Sequence, residues 1–254
     1  MTRVIMNGCN GKMGQCITEI CKNDPEITIV AGIDLYHGIK NDYPVFPSIR
    51  SCNVKADVVI DFSNPNEAWD DFLNYCEEKE LPVVLCTTGL SDEQLARVDK
   101  VAQSTAVLKS ANMSLGINTL MELLRKAALV FGPAGFDMEI VEKHHNQKVD
   151  APSGTALALA DSMNEALDNA YNYKYDRSQE RIKRDKYEIG ISAVRGGTIV
   201  GEHEVIFAGQ DEVIEFKHTA YSKAVFAKGA VEAAKFLAGK PAGRYDMSDV
   251  IAAK

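Results

Sequence analysis

Hydrophobic residues in the first 110 or so positions fall into short runs rich in Val and Ile, divided by stretches where they recur at helical intervals. The runs Val4–Met6, Ile27–Ile33, Val58–Asp61, Val83–Cys86 and Ala106–Leu108 have strand length and β-branched character. Between the first two, Met13, Ile17 and Ile20 keep helical spacing, and Ser91-Asp92-Glu93-Gln94 has the form of a capping box opening a helix that runs to Gln103. Strand and helix in this alternation predict a parallel sheet with crossover helices. A further helix is predicted from Ser114 to Val130, ended by the turn residues Phe131-Gly132-Pro133-Ala134-Gly135.

Beyond that turn the pattern changes. Asp137–Lys143, Glu188–Val194, Glu202–Phe207 and Glu212–His218 alternate or run apolar as strands, with one clear helix among them, Ser153 to Leu167. This part reads as α+β, with a mixed and mostly antiparallel sheet. Asp168–Lys186 is polar and Tyr-rich, with six Lys/Arg against three Asp/Glu from Asn169 onward, and is expected to form a loop or lid-like insertion. Ala224–Leu237 is an amphipathic helix expected to return to the first region. The expected division is 1–112 with 222–254 as one domain and 113–221 as the other.

A formal charge of −8 over 254 residues removes the positive field that gathers nucleic acid or an anionic membrane surface. An anionic ligand would need a local basic island. The six cysteines all lie between Cys9 and Cys86 and form no C-x-x-C pair, so they read as reduced, small apolar residues rather than a metal site. The chain opens directly into Val4-Ile5-Met6 and holds no apolar run long enough to span a bilayer. A cytoplasmic protein is expected.

Gly8-Cys9-Asn10-Gly11-Lys12-Met13-Gly14 sits between the first strand and the first helix, where a tight turn can offer backbone amides to a pyrophosphate. The G-x-x-G-x-x-G spacing is weak alone, since glycine turns in parallel folds are often structural. Its context strengthens it: Asp34 ends the second strand twenty residues beyond Gly14, where a carboxylate would accept ribose hydroxyls. Leu35-Tyr36-His37 follow without an arginine to greet a 2′-phosphate, although Lys40 is near in sequence, so NADH is expected to be preferred over NADPH. Asp61-Phe62-Ser63, Cys86-Thr87-Thr88-Gly89 and Ser110-Ala111-Asn112-Met113-Ser114 end other strands at the same edge, as capping groups, ligand contacts or both.

The segment from Glu142 to Thr155 concentrates two of the five histidines, His144 and His145, with Lys148, and then opens a helix whose first amides near Ser153-Gly154-Thr155 can receive a carboxylate. A structural His pair and a simple Ser153 N-cap are the alternatives. Zinc is disfavoured, because adjacent strand residues point to opposite faces and no third ligand has helpful spacing.

The string His-His-x-x-Lys-x-Asp-Ala-Pro-Ser-Gly-Thr-Ala, from His144 to Ala156, resembles the motif of the 4-hydroxy-tetrahydrodipicolinate reductase family. The resemblance extends to Gly8–Gly14, Thr87-Thr88-Gly89, Ala111-Asn112-Met113-Ser114, Val194–His203 and His218–Leu237, nearly the whole chain. Met113 stands where an aromatic residue is common, and Leu35 where some members carry arginine. The resemblance implies an α/β fold, with a Rossmann-type dinucleotide-binding domain and an α+β substrate and oligomerisation domain. It implies NADH- or NADPH-dependent reduction of a cyclic dicarboxylic imine in lysine biosynthesis through diaminopimelate, and a homotetramer.

Residue by residue, the resemblance makes His144 the acid/base group and Lys148 a second proton donor, with His145, Gly154 and Thr155 on the substrate. It assigns the cofactor to Gly8, Cys9, Asn10, Gly11, Lys12, Met13, Asp34, Cys86, Thr87, Thr88, Ser110, Ala111, Asn112 and Met113, and implies no metal. Hinges near Asn112–Ser114 and Thr219–Ser222 are expected to let a cleft close. Two rival readings are another two-domain NAD(P)-dependent reductase of a small metabolite, and a dinucleotide-sensing protein touching nucleic acid through Asp168–Lys186. The first has no need of the His-Lys and Ser-Gly-Thr pairing, and the second lacks any recognised DNA-binding module.

Overall fold

Period-two alternation of apolar side chains builds the first sheet, because in a strand buried on both faces successive residues feed opposite cores. The computed structural model describes residues 1–36, 38–65 and 67–254, and His37 from the sequence reading lies outside them. In chain order come β1 (Thr2–Asn7), α1 (Lys12–Lys22), β2 (Ile27–Ile33), β3 (Val45–Phe46), β4 (Val58–Asp61), α2 (Glu67–Glu78), β5 (Val83–Leu85), α3 (Asp92–Val101) and β6 (Ala106–Leu108). There follow α4 (Leu115–Phe131), β7 (Asp137–His144), α5 (Gly154–Ala166), β8 (Asn172–Lys174), β9 (Glu188–Arg195), β10 (Gly201–Ala208) and β11 (Val213–Ala220). The chain ends with α6 (Ala224–Leu237), β12 (Gly243–Tyr245) and α7 (Met247–Ala252). Two units result, Met1–Leu115 with Ala224–Lys254, and Gly116–Lys223.

In the first unit, Val4, Met6, Val58, Ile60, Val84 and Leu108 enter one core together with residues of α1 and α6. Ile5, Val59, Val83, Leu85 and Val107 enter the other, with Trp69, Phe72, Leu73 and Cys76 of α2 and Val98 of α3. Each fully buried aliphatic side chain contributes about 1.5–3 kcal/mol, so both faces must be covered for the sheet to persist. The strand order is β12-β6-β5-β4-β1-β2-β3, and every described pairing is parallel. β1 lies between β2 and β4, so the connections run outward to opposite sides from it. Such a switch point leaves a crevice at the carboxyl ends of β1 and β4. α6 packs close: a Cβ on Gly229 would fall 1.6 Å from the Met113 carbonyl oxygen.

The second unit holds a sheet ordered β11-β10-β7-β9-β8. β10 pairs antiparallel with β11 and β7, while β9 pairs parallel with β7 and β8. The sheet is mixed as expected: the long pairings of β10 are antiparallel, while α5 lies between β7 and β9 in the chain, and a crossover helix produces parallel neighbours. Met138, Ile140, Ile189, Ile191, Val205 and Phe207 face α4 and α5 across one core. The expected insertion contains β8 and is fastened to the sheet by Arg184, which meets Asp137 at 2.9 Å and Glu139 at 3.1 Å. Gly190 leaves room for that Glu139 carboxylate, which a Cβ would displace.

Candidate active site

At the crevice of the first sheet the chain turns at Gly8, whose φ of +80° suits glycine. A Cβ there would stand 2.8 Å from the Phe62 carbonyl oxygen, so the turn and the exit of β4 touch backbone to backbone. Gly14 closes the turn from the helix side: its Cβ would lie 2.2 Å from the Gly8 carbonyl oxygen. Gly11 is the N-cap of α1 and no side chain caps it, so the first-turn amides are presented towards the turn without a built-in acceptor. A cleft of about 430 Å³ opens here, lined by Gly8, Asn10, Gly11, Asp34, Phe62 and Ser63 among others. Asp34 holds its edge, accepting the amides of Asn10 and Tyr36, both at 2.9 Å. Among the described residues lining this cleft there is no lysine or arginine.

These features suit a dinucleotide, because the cradle exists only where side chains are missing. The remaining sequence-derived contacts divide. Lys12 is exposed at the start of α1. Cys9 is fully buried, its thiol pushed up to about 12 by burial and then by the charge of Asp34. Met13, Cys86 and Met113 likewise pack into or against the first core, so these four side chains serve packing rather than polar contact. Thr88 and Ala111 are exposed, Ser110 is half-buried, and Thr87 and Asn112 are buried; none of the five lines the described cleft.

Asp61, read from the sequence only as part of the edge segment Asp61-Phe62-Ser63, is a hub of that edge. Fully buried at the end of β4, its carboxylate accepts from Asn7 Nδ2 at 2.8 Å, the Ser63 amide at 3.1 Å and hydroxyl at 2.6 Å, Trp69 Nε1 at 3.4 Å, and the Thr87 hydroxyl. It ties the ends of β1, β4 and β5 to α2. Lys109 Nζ donates to the Thr87 carbonyl at 3.3 Å on the same edge, its pKa lowered by burial and then by Arg244.

In the second unit, alternation along β7 turns Glu142 and His144 to the interior. His144 Nδ1 lies 2.6 Å from Glu142 Oε2, and Arg195 grips the same carboxylate with both terminal nitrogens, at 2.8 and 2.7 Å. The turn after β7 is tied to the one after β9, since Gly196 donates to the His144 carbonyl at 2.9 Å and Asn146 to that of Gly197 at 3.2 Å. Lys148 Nζ meets Asp150 at 2.7 Å. That carboxyl is held below its usual range by Lys148, with the Gly154 amide among the smaller causes. α5 then begins with Ser153 as its N-cap, whose Oγ accepts the Ala156 amide at 3.2 Å.

His203, on β10, packs edge-on against His144 with ring centroids 5.1 Å apart, and its Nε2 lies 3.1 Å from Ser153 Oγ. Ser153 Oγ, after accepting from Ala156, keeps one proton and one lone pair, so it can donate to or accept from His203 Nε2. Burial, and then the neighbouring His144, push His203 down to about 4. His145, Lys148 and Thr155 are half-buried, Gly154 is exposed and His144 is buried. His144 is joined to the start of α5 through Glu142 and the Ser153 amide, and Lys148 through Asp150 and the Gly154 amide. The cluster combines an imidazole whose Nδ1 is fixed, a lysine cation and helix-start amides, and Asp150 displays how a carboxylate engages the last two. Glu142, Arg195 and His203 were not singled out from the sequence. For Glu142 a signal existed, since i and i+2 share a strand face.

Among the described residues no cluster of His, Cys, Asp and Glu is arranged to hold a metal, and no helix is long and apolar enough to cross a membrane. Three of the six basic residues of the insertion are held in ion pairs, Arg177 with Glu139 and Glu188, Lys174 with Glu180, and Arg184 as above.

Two family models cover the chain: "Dihydrodipicolinate reductase, N-terminus" matches residues 2–113 and "Dihydrodipicolinate reductase, C-terminus" residues 116–251. A 4-hydroxy-tetrahydrodipicolinate reductase of Clostridium novyi (strain NT) is 50% identical over 100% of both chains. One of Caldanaerobacter subterraneus subsp. tengcongensis is 49% identical over 99% of this chain and 98% of its own. Among solved structures, a dipicolinate-bound dihydrodipicolinate reductase from Paenisporosarcina sp. TG-14 superposes with a TM-score of 0.80 at 25% identity, covering 97% of each chain. A probable dehydrogenase from Thermotoga maritima shares the fold, with a TM-score of 0.60 at 11% identity and coverage of 99% of this chain and 93% of that one.

Proposed function

The chain belongs to the dihydrodipicolinate reductase family, and from that premise we infer how its residues divide the NAD(P)H-dependent reduction of 4-hydroxy-tetrahydrodipicolinate in the diaminopimelate route to lysine. The bound nicotinamide supplies a hydride to the cyclic imine that remains once the substrate has lost water. This chain's residues must then bind two ligands, hold a dianion and deliver a proton.

The Gly8–Gly14 turn and the first amides of α1 hold the pyrophosphate, and Asp34 takes the ribose hydroxyls. Lys148 and the Gly154 and Thr155 end of α5 grip the substrate carboxylates, with His145 beside them. His144, anchored through Nδ1, exchanges its proton at Nε2, and Lys148 offers a second proton while stabilising negative charge. The observation that carries this reading is the Asp150 carboxylate on Lys148 and the Gly154 amide, which supports these groups as the ones a substrate carboxylate engages.

The test couples the preceding synthase to this protein and follows NADH absorbance. Addition of the protein should oxidise NADH. His144→Ala or Lys148→Ala should lower kcat/KM by about 10²-fold with NADH affinity nearly unchanged, because the lost groups act on substrate and transition state. Near-native turnover in either variant removes that residue from the chemistry.

Three finer points belong to the same proposal. NADH is preferred, because a carboxylate at Asp34 followed by Leu35 repels a 2′-phosphate and no basic side chain is among the described residues lining the cleft. A tenfold kcat/KM advantage for NADPH would end that idea. The protein assembles as a homotetramer through the second sheet, whose far face carries half-buried Val141, Glu204 and Ile206 beside exposed Val213. It works in the cytoplasm, which accords with six free cysteines.

A further inference from the structure

We infer that buried Glu142 and half-buried Arg195 form a positioning pair that fixes the tautomer and direction of the His144 imidazole and locks it to the anion-binding start of α5. The inference rests on the reading of His144 as the acid/base group.

A carboxylate with no exposed surface is costly unless its oxygens are satisfied. Glu142 is 0% exposed and both oxygens are doubly used. Oε1 accepts from Arg195 Nη2 at 2.7 Å and the Ser153 amide at 3.0 Å, and Oε2 from Arg195 Nη1 at 2.8 Å, with His144 Nδ1 at 2.6 Å. Burial alone would raise the carboxyl's pKa, but Arg195, His144 and the Ser153 amide together hold it below its usual range. The group is therefore an anion, and an anion at Nδ1 requires the imidazole proton there.

Three consequences separate this from an ordinary structural ion pair. A neutral His144 with its proton on Nδ1 has its lone pair at Nε2, the atom left for proton exchange. That atom has clearance because residue 201 is glycine, where a Cβ would sit 3.2 Å from Nε2. Arg195 cancels the charge of Glu142, so the carboxylate orients the imidazole without repelling a doubly negative substrate. Finally, the same carboxylate holds the Ser153 amide while Arg195 Nη2 donates to the Asp150 carbonyl at 2.7 Å, so the proton-transfer group and the carboxylate grip keep one register. A pair serving stability alone would need neither the imidazole nor the helix start.

Nitrogen-15 spectra of histidine-labelled enzyme, with His144 assigned by its loss in His144→Gln, test the idea on the native protein. The neutral ring should carry its proton on Nδ1. Glu142→Gln should move the proton to Nε2 and lower kcat about 10²-fold, with the KM for NADH within about twofold of native. Arg195→Lys, which keeps the cation but loses the fork, should keep the Nδ1 proton and lose about tenfold in kcat. A native His144 protonated on Nε2 overturns the inference without any variant, which covers the case that Glu142→Gln does not fold. An active Glu142→Gln beside a dead His144→Gln overturns the positioning role alone. An active His144→Gln overturns the acid/base reading and the inference with it.

Discussion

The two candidate sites handle negative charge by opposite means. In the first unit the cradle is made of backbone and of side chains that are absent: Gly8, Gly11 and Gly14 bring amides together with no cation among the described residues lining the cleft. In the second, the cluster is made of side chains from three strands and a turn: Glu142 with Arg195 and His144, Lys148 with Asp150, and His203 packed on His144. A backbone site is intolerant of added atoms but indifferent to pH. A side-chain site tolerates added atoms better and is governed by protonation.

The sharpest way to break this contrast is to add one methyl group to the backbone site. Gly14→Ala drives a Cβ to 2.2 Å from the Gly8 carbonyl oxygen, and should weaken NADH binding by about 10³-fold in a fluorescence titration, with dicarboxylate binding retained. Survival of NADH binding would mean the turn is not the cradle.

Next in size is a pH effect confined to the second unit. His203 titrates at about 4 when folded, against 6.5 for the free side chain. A depressed histidine favours the folded state while neutral. Its contribution is complete above the unfolded value and falls as pH drops from about 6.5 to about 4, a loss of roughly 3 kcal/mol. His218, also lowered by burial, adds in the same direction. Denaturant unfolding at several pH values should show this slope, and His203→Gln should flatten it.

The smallest effect sharpens the comparison. If Asp150 occupies groups that a substrate carboxylate needs, Asp150→Asn should tighten pyridine-2,6-dicarboxylate binding by about threefold, because Lys148 no longer has an internal competitor. Weaker binding would make Asp150 part of the grip instead.

The same contrast explains what could be read in advance. The strands β1, β2 and β4 are runs rich in β-branched residues, and their local pattern suffices. Short β5 and β6 are wholly apolar, whereas equally short β8 and β12 are mostly polar and β3 has only two residues, so β3, β8 and β12 show no apolar run. α2 carries Trp69, Phe72, Leu73 and Cys76 at helical spacing, yet lies beyond a reading centred on β-branched runs. The glycine turn and the His144–Thr155 motif are contiguous and therefore visible. Arg195 and His203 reach the site only through sheet register, His144 opposite Arg195 and Glu142 opposite His203. Asp61 likewise gathers partners from separate elements, and no spacing along the chain announces such a hub.

The division of labour between the units is tested most directly by titrating NADH, and then pyridine-2,6-dicarboxylate at saturating NADH, into native protein and Lys148→Ala by calorimetry. The account expects unchanged NADH affinity and a dicarboxylate affinity at least about 10²-fold weaker in the variant. Equal dicarboxylate affinity in both proteins, or loss of NADH binding in the variant, would contradict it.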